Sequence, residues 1–363
     1  MLEDKTISED NKTIKSNSRL ENLILETRSQ KTLDLIKRHV DTTNSNNLFL
    51  NTTSAFNIRK QKKDRFDGIV NLKRINDIRR VNKFFEAANE RLENGNIFIC
   101  CAETKQLRKI RIMRKFWPIF SLIYYFFDFI LKRVFPKLSI TKKIYFLLTG
   151  GRNRVFPKSE VLGRLYSCGF EIVEEALSDS LHYFVVKKIK EPFFDKNPSY
   201  GPIFKMRRIG KDGNMIEVYK LRTMHAYSEY LQAYIFEKNK LQEGGKIHND
   251  IRVTRYGKLF RKFWIDELPM IFNLIKGDLK LVGVRPLSAH FLSLYPEDLQ
   301  ELRKQIKPGL LPPFYADMPK TFDDIIASER NYILAYQKNP LKTDLKVIFA
   351  AFRNIVLKNE RSH

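Results

Sequence analysis

The chain has 363 residues, enough for two domains that each bury a core. It is 43% hydrophobic and 29% charged, an ordinary globular balance, but 66 Lys+Arg against 41 Asp+Glu leave a formal net charge of +25. That excess favours a polyanionic partner, whether nucleic acid, an anionic membrane surface or a phosphate-bearing substrate. The three cysteines, Cys100, Cys101 and Cys168, offer neither a disulfide framework nor a metal spacing, and a reduced, cytoplasmic compartment follows.

The start, Met1-Leu2-Glu3-Asp4-Lys5, is acidic and polar and does not read as a secretory signal. Residues 1–60 are rich in Asn, Thr, Ser and Lys and read as a polar, partly disordered segment. Within them Leu20, Leu23, Ile24, Leu33, Leu35 and Ile36 suggest a short amphipathic helix between Arg19 and Val40, and Asp41 to Asn47 reads as linker. Residues 61–198 read as an α/β domain. It has a buried strand at Phe66–Val70, a charged helix from Arg74 to Leu92, a turn at Asn94-Gly95, and a second buried strand at Ile97–Ala102. A helix and two strands are expected between Gly163 and Lys188. This order weakly resembles the later half of a class I methyltransferase, but no glycine-rich cofactor loop precedes it, which argues against that activity.

The one concentrated apolar stretch is residues 116–136, FWPIFSLIYYFFDFILKRVFP. It falls short of the roughly 20 apolar residues that span a bilayer and contains Asp128, so a full transmembrane helix is not expected. It reads either as a buried aromatic-rich helix or as a shallow, re-entrant membrane element. Its basic flanks (Arg108 to Lys115 before, Lys132 to Lys143 after) and its aromatics tip the reading toward the membrane.

Residues 199–363 change character. Gly201 to Leu221 reads as a hairpin turning at Lys211-Asp212-Gly213-Asn214 and leading to Arg222-Thr223-Met224. A polar helical insertion precedes Asp250-Ile251-Arg252-Val253-Thr254-Arg255-Tyr256-Gly257. Then follow Arg261 to Pro269 (RKFWIDELP), Gly277-Asp278, the run Leu281 to Pro286 (LVGVRP) and Lys307-Pro308-Gly309. Cations and carboxylates alternate here. Rows of Arg and Lys suit phosphate oxygens, adjacent carboxylates suit a hard divalent cation such as Mg²⁺, and a carboxylate can attack phosphorus covalently. Taken alone, however, Asp266-Glu267 ahead of Pro269 is more simply a helix start, where acids are favoured. Asp278 after Gly277 is more simply a turn residue.

The order of these motifs over about residues 199–358 resembles the bacterial sugar transferase family. These are polyprenyl-phosphate phosphoglycosyl transferases of the single-membrane-segment type. The resemblance implies transfer of a sugar 1-phosphate from a nucleoside diphosphate sugar, a UDP-sugar, to undecaprenyl phosphate through a covalent aspartyl-phosphosugar, at the start of capsule, O-antigen or exopolysaccharide assembly. On that resemblance Asp266 matches the nucleophile and Glu267 the Mg²⁺-binding neighbour, with Asp266 as a second metal ligand. Lys220, Arg261 and Arg285 match phosphate or nucleotide contacts, and Arg222, Pro286, Lys307 and Glu329 join the substrate-binding set. The implied setting is monotopic, on the cytoplasmic face of the inner membrane, with homodimerisation open and no nucleic acid. A non-catalytic membrane-bound assembly subunit is the alternative.

The departures from the family pattern are specific. Val284 replaces the first proline of the arginine loop, Phe263-Trp264 replaces Thr-Ser before the acidic pair, and Leu310 to Asp317 replaces the usual Thr-Gly-Trp-like continuation. Glu329 is one methylene longer than the acid it matches. The family's re-entrant helix lies just before the Gly-Pro strand, where Lys187 to Ser199 is too polar, so 116–136 is its displaced candidate. The expected fold is mixed α/β: a transferase domain of helices with a small β-hairpin, preceded by an α/β domain.

Overall fold

The computed structural model describes residues 19–61, 66–194, 200–232, 234–235 and 250–354. These fall into two compact units. One runs to Gly201 and regains 224–235 and 250–252; the other comprises Pro202–Thr223 and 253–354. The polar insertion expected before Asp250 lies mostly outside the described residues, as do residues 1–18.

The first unit is built on a five-stranded sheet in the order β1-β2-β3-β5-β4. Strands β1 (Asn47–Leu50), β2 (Phe66–Arg74) and β3 (Leu92–Ala102) are parallel, and β4 (Phe170–Ser178) and β5 (Leu181–Lys188) add an antiparallel edge. The crossover from β2 to β3 carries helix α2 (Val81–Asn89), shorter than the expected 74–92 because residues 75–77 form a 3₁₀ turn first. Asn94-Gly95 does not end a helix. It lies within β3, where Gly95 takes φ 91° and the register with β2 slips. The β4–β5 turn is Asp179-Ser180, both at positive φ, which matches strand twist in a two-residue hairpin.

Alternation along β3 divides the core. Phe98 and Cys100 face a cluster with Phe84, Phe85 and Phe170, in which the Phe98 and Phe170 rings are 5.4 Å apart. Ile99 and Cys101 face Ile24, Leu33 and Ile36, which come from residues 19–25 and from α1 (Gln30–Lys37). The amphipathic segment foreseen at 19–40 is thus two helical pieces that cover one sheet face. All three cysteines are free and buried, and burial pushes the Cys101 and Cys168 thiols up to about 12.

After β3 come α3 (Lys105–Lys115), α4 (Pro118–Phe129), α5 (Ser139–Thr149) and α6 (Lys158–Ser167). The buried-helix reading of 116–136 does not hold. Most of α4's aromatic and aliphatic side chains are open to solvent, while its polar Ser121 and Asp128 point inward. Asp128 is satisfied there by a bidentate pair with Arg108 at 2.6 and 2.7 Å. Among the described residues no helix is long and apolar enough to cross a membrane.

The second unit opens with the expected hairpin, β6 (Ile203–Ile209) and β7 (Met215–Leu221), turning through Asp212 and Gly213 at positive φ. It continues through α7 (Arg255–Lys262), a 3₁₀ turn (Ile265–Met270), α8 (Ile271–Lys276), β8 (Lys280–Val282), α9 (Glu297–Lys304), β9 (Gly309–Leu311), α10 (Phe322–Lys338) and α11 (Pro340–Phe352). Thr321 and Asp324 form a capping box at α10, and Asn339 caps α11 ahead of Pro340. Strands β8 and β9 pair in parallel, and two motif glycines explain how closely they run: a Cβ on Gly309 would lie 2.1 Å from the Gly283 nitrogen. The LVG and KPG motifs are therefore one contact seen from two sides.

Candidate active site

The site grows from β7. Alternation along this strand turns Val218 and Lys220 to one side, and Lys220 Nζ meets Glu267 Oε1 at 2.6 Å. Asn273 fixes the distance between β7 and the acidic turn. Its Nδ2 donates to the Glu217 carbonyl (2.7 Å), and its Oδ1 accepts from the Tyr219 N–H (3.0 Å). The same Nδ2 reaches Asp278 Oδ2 at 3.1 Å, so Asp278 is the turn residue that its position after Gly277 suggests. Asn273 is fully buried, and its role had no signal in the sequence beyond its place in an N-x-x-K-G-D run.

Upstream, Thr254 caps α7 by accepting from Gly257 N–H at 2.8 Å and donates to the Thr223 carbonyl at 3.0 Å. A Cβ on Gly257 would sit 2.1 Å from that same carbonyl. Arg261, at the end of α7, donates from Nε to Thr223 Oγ1 at 3.0 Å. Arg222 stacks its guanidinium over Phe204, 5.1 Å from the ring centre.

Asp266 and Glu267 start the 3₁₀ turn that leads into α8. Neither provides the side-chain cap of an ordinary acidic helix start, and Glu267 is committed to Lys220 instead. Asp266 is half-buried. Burial, helped by the neighbouring Glu267, pushes its carboxyl above the usual range, against the pull of Lys220 and Arg261. Ahead of the pair, Trp264 takes a left-handed backbone (φ 53°, ψ 17°), a conformation that costs a non-glycine residue about 1 kcal/mol. The chain turns sharply there to present the acids.

A cavity of about 1520 Å³ adjoins this turn. Lys220, Glu267, Arg285, Pro286 and Glu329 line it; Asp266, Arg222, Arg261 and Lys307 are not among its lining residues. Lys307 lies beside Gly277 instead. Glu329 is nearly fully buried and bonded to Arg303, whose Nη2 also donates to the Arg285 carbonyl at 2.5 Å. The Glu329 carboxylate thus holds the Arg285 loop through Arg303, and burial pushes its pKa up even against that pairing.

Two features of the wall had been given no role from the sequence. Arg208 lines the cavity with Arg285, and burial beside that second guanidinium lowers its pKa. Met206 and Arg208 alternate with Lys205 and Arg207 on β6, so a period of two was the available signal. Phe291, Phe314 and Phe322 give the wall an aromatic side. Cations for phosphates, aromatics for a planar base or sugar face, and two adjacent carboxylates make a donor set suited to a nucleoside diphosphate sugar. Among the described residues no three His, Cys, Asp or Glu side chains gather to hold a metal. Two carboxylates beside a phosphate subsite are nevertheless the usual provision for Mg²⁺, which takes its other ligands from phosphate and water.

Residues 193–358 match the profile of the bacterial sugar transferases. Over 178 residues the chain is 30% identical to a galactosyl transferase of Streptococcus agalactiae serotype III, covering 48% of this chain and 37% of that protein. It is 34% identical over 116 residues to an undecaprenyl-phosphate galactose phosphotransferase of Salmonella typhimurium, covering 30% and 24%. It is 37% identical over 118 residues to a UDP-glucose:undecaprenyl-phosphate glucose-1-phosphate transferase of Klebsiella pneumoniae, covering 32% and 23%. The chain thus spans well under half the length of each of these relatives. The family profile covers a little under half of the chain, and the order of motifs within residues 193–358 agrees with that likeness to the bacterial sugar transferases.

Proposed function

We propose that this protein transfers a sugar 1-phosphate from a UDP-sugar to undecaprenyl phosphate, working from the cytoplasmic face of the inner membrane as a monotopic enzyme. The observation that carries the reading is the Lys220–Glu267 ion pair at 2.6 Å, set beside Asp266 and next to a cavity lined by Arg208 and Arg285. Relatives named as UDP-sugar:undecaprenyl-phosphate transferases support the same substrates.

An Asp266 carboxylate oxygen attacks the β-phosphorus of the donor. The bond from that phosphorus to the bridging oxygen breaks, and nucleoside monophosphate departs with the electron pair. A phosphate oxygen of undecaprenyl phosphate then attacks the same phosphorus, releases the Asp266 carboxylate and leaves the lipid-linked diphosphate sugar. Splitting the displacement in two lets one site serve a soluble donor and a lipid acceptor in turn. Arg208 and Arg285 bind and orient the diphosphate, and Lys220 holds Glu267 in place. Glu267 and Asp266 would hold Mg²⁺, which neutralises charge on the diphosphate when bound.

The test is a panel of UDP-sugars offered with undecaprenyl phosphate, reading UMP release. Asp266→Asn should lower turnover by about 10³-fold or more. A fold-preserving assembly subunit would release no UMP with any sugar.

A further inference from the structure

The first unit carries apolar surface of an unusual kind. In an ordinary surface helix the apolar stripe faces the core, but α4 and α5 are turned the other way. Just ahead of α4 Trp117 is 82% exposed, and on α4 Phe120 is 70% exposed with Ile119 and Ile123 beside it, while Ser121 and Asp128 are buried. On α5, Leu147 is 84% and Leu148 78% exposed, in line with Ile140 and Ile144 at the spacing of one helix face. Its inner face carries Tyr145, whose hydroxyl donates to the Arg152 carbonyl at 2.5 Å.

Buried ion pairs and a hydrogen bond hold this orientation. Arg108 grips Asp128 from beneath α4. Just past α4, Arg133 and Lys137 reach Glu160 of α6 at 2.5 and 3.2 Å, and Glu160 is fully buried. Rotating α4 to hide its apolar face would break the Arg108–Asp128 pair and strand buried charges, and rotating α5 would pull the Tyr145 hydroxyl from the Arg152 carbonyl. The apolar faces are thus fixed outward.

The charge around them is of one sign. From Lys105 to Lys158 the only acidic residue is Asp128, and it is buried. Arg111, Arg114 and Lys115 at the end of α3, and Lys142 and Lys143 in α5, are exposed. Neither helix is long enough to cross: 12 and 11 residues at 1.5 Å each reach about 18 Å, against a hydrocarbon core of about 30 Å. Short helices with apolar outer faces, aromatic-rich on α4 and aliphatic on α5, and a cationic surround suit the headgroup boundary of an anionic bilayer.

We propose that α4 and α5 together are a membrane-docking surface that lies in the interface of a bilayer containing anionic phospholipid. This deepens the proposed function, whose acceptor is a membrane lipid, but it assigns the anchoring to the first unit and adds α5 to it.

The test is flotation of the full chain with phosphatidylcholine vesicles, with and without phosphatidylglycerol, in the absence of donor and acceptor. Binding should need the anionic lipid and weaken with salt. Phe120→Glu with Ile123→Glu, and separately Leu147→Glu with Leu148→Glu, should each weaken it by roughly tenfold or more. These side chains are exposed, so an unchanged circular dichroism spectrum and melting temperature should accompany the loss. Vesicle binding that survives both pairs of substitutions overturns the proposal. So does a chain that ignores vesicles and is a dimer by light scattering until these residues are charged, which would mean that a second copy covers the faces. Because no transfer is measured, failure of the catalytic reading leaves this result intact, and the reverse also holds.

Discussion

The indole N–H of Trp264 donates to the Tyr315 hydroxyl at 3.1 Å, and the two rings meet edge to face at 86°. On the resemblance drawn from the sequence, both residues stand at departures from the family pattern: Trp264 in the Phe-Trp found in place of Thr-Ser, and Tyr315 in the stretch found in place of the Thr-Gly-Trp-like continuation. The contact pins the strained turn before Asp266 from across the unit. Trp264→Phe and Tyr315→Phe should each cost about 1 kcal/mol, with a coupling of about 0.5–1.5 kcal/mol in the double-mutant cycle. Chemical denaturation of the four proteins measures it, and additive losses would mean that the contact does not act as a unit.

Lys220→Ala leaves Glu267 without its cation. Because the pair is partly exposed, stability should change by less than about 1 kcal/mol. Turnover should fall by about 10²-fold, since the carboxylate loses its fixed position. Steady-state UMP release together with a melting curve separates the two effects.

Gly309→Ala tests the β8–β9 contact. The added methyl would meet the Gly283 backbone, which cannot swing aside, so the second unit should lose about 2–3 kcal/mol. Gly95→Ala is the comparison. There a Cβ meets nothing, and only the positive φ penalises it, by about 1 kcal/mol.

Glu175 supplies a pH test in the first unit. His182 and Lys158 hold its carboxyl at about 2, at distances of 3.0 and 2.6 Å. A carboxylate with a depressed folded pKa stabilises fully above its unfolded value of about 4.3, and the contribution is lost as pH falls from there toward 2. Glu175→Gln should lower stability at neutral pH by about 2 kcal/mol and flatten the decline between pH 4.5 and 2. An unchanged slope in acid denaturation would contradict the assignment.

Magnesium is tested by removal. Chelation should abolish UMP release and added Mg²⁺ restore it, while an Asp266- and Glu267-independent loss would move the metal elsewhere.

Much of this architecture was legible because it is local. The β6–β7 hairpin announced itself through Lys211-Asp212-Gly213-Asn214, and the buried strand Ile97–Ala102 through its apolar run. Asn94-Gly95 misled because a glycine that kinks a strand carries the same letters as one that ends a helix. The burial of Asp128 could not be read from the apolar run around it, since its partner Arg108 sits 20 residues upstream in another helix. The site shows the same division. Asp266 and Glu267 stood out as an adjacent pair, whereas Asn273, Arg303 and Tyr315 act through contacts 26 to 56 residues away along the chain. Arg208 sat between, visible to a strict alternation along β6 but masked by its neighbour Arg207.

The central claim is that Asp266 becomes covalently phosphorylated by the sugar phosphate. Intact-protein mass spectrometry after incubation with UDP-sugar and Mg²⁺, but no acceptor, tests it directly. The wild-type chain should gain the mass of one sugar phosphate and lose it when undecaprenyl phosphate is added; Asp266→Asn should gain none. A wild-type chain that turns over without ever carrying the adduct, or an Asp266→Asn chain that transfers at full rate, would contradict the account.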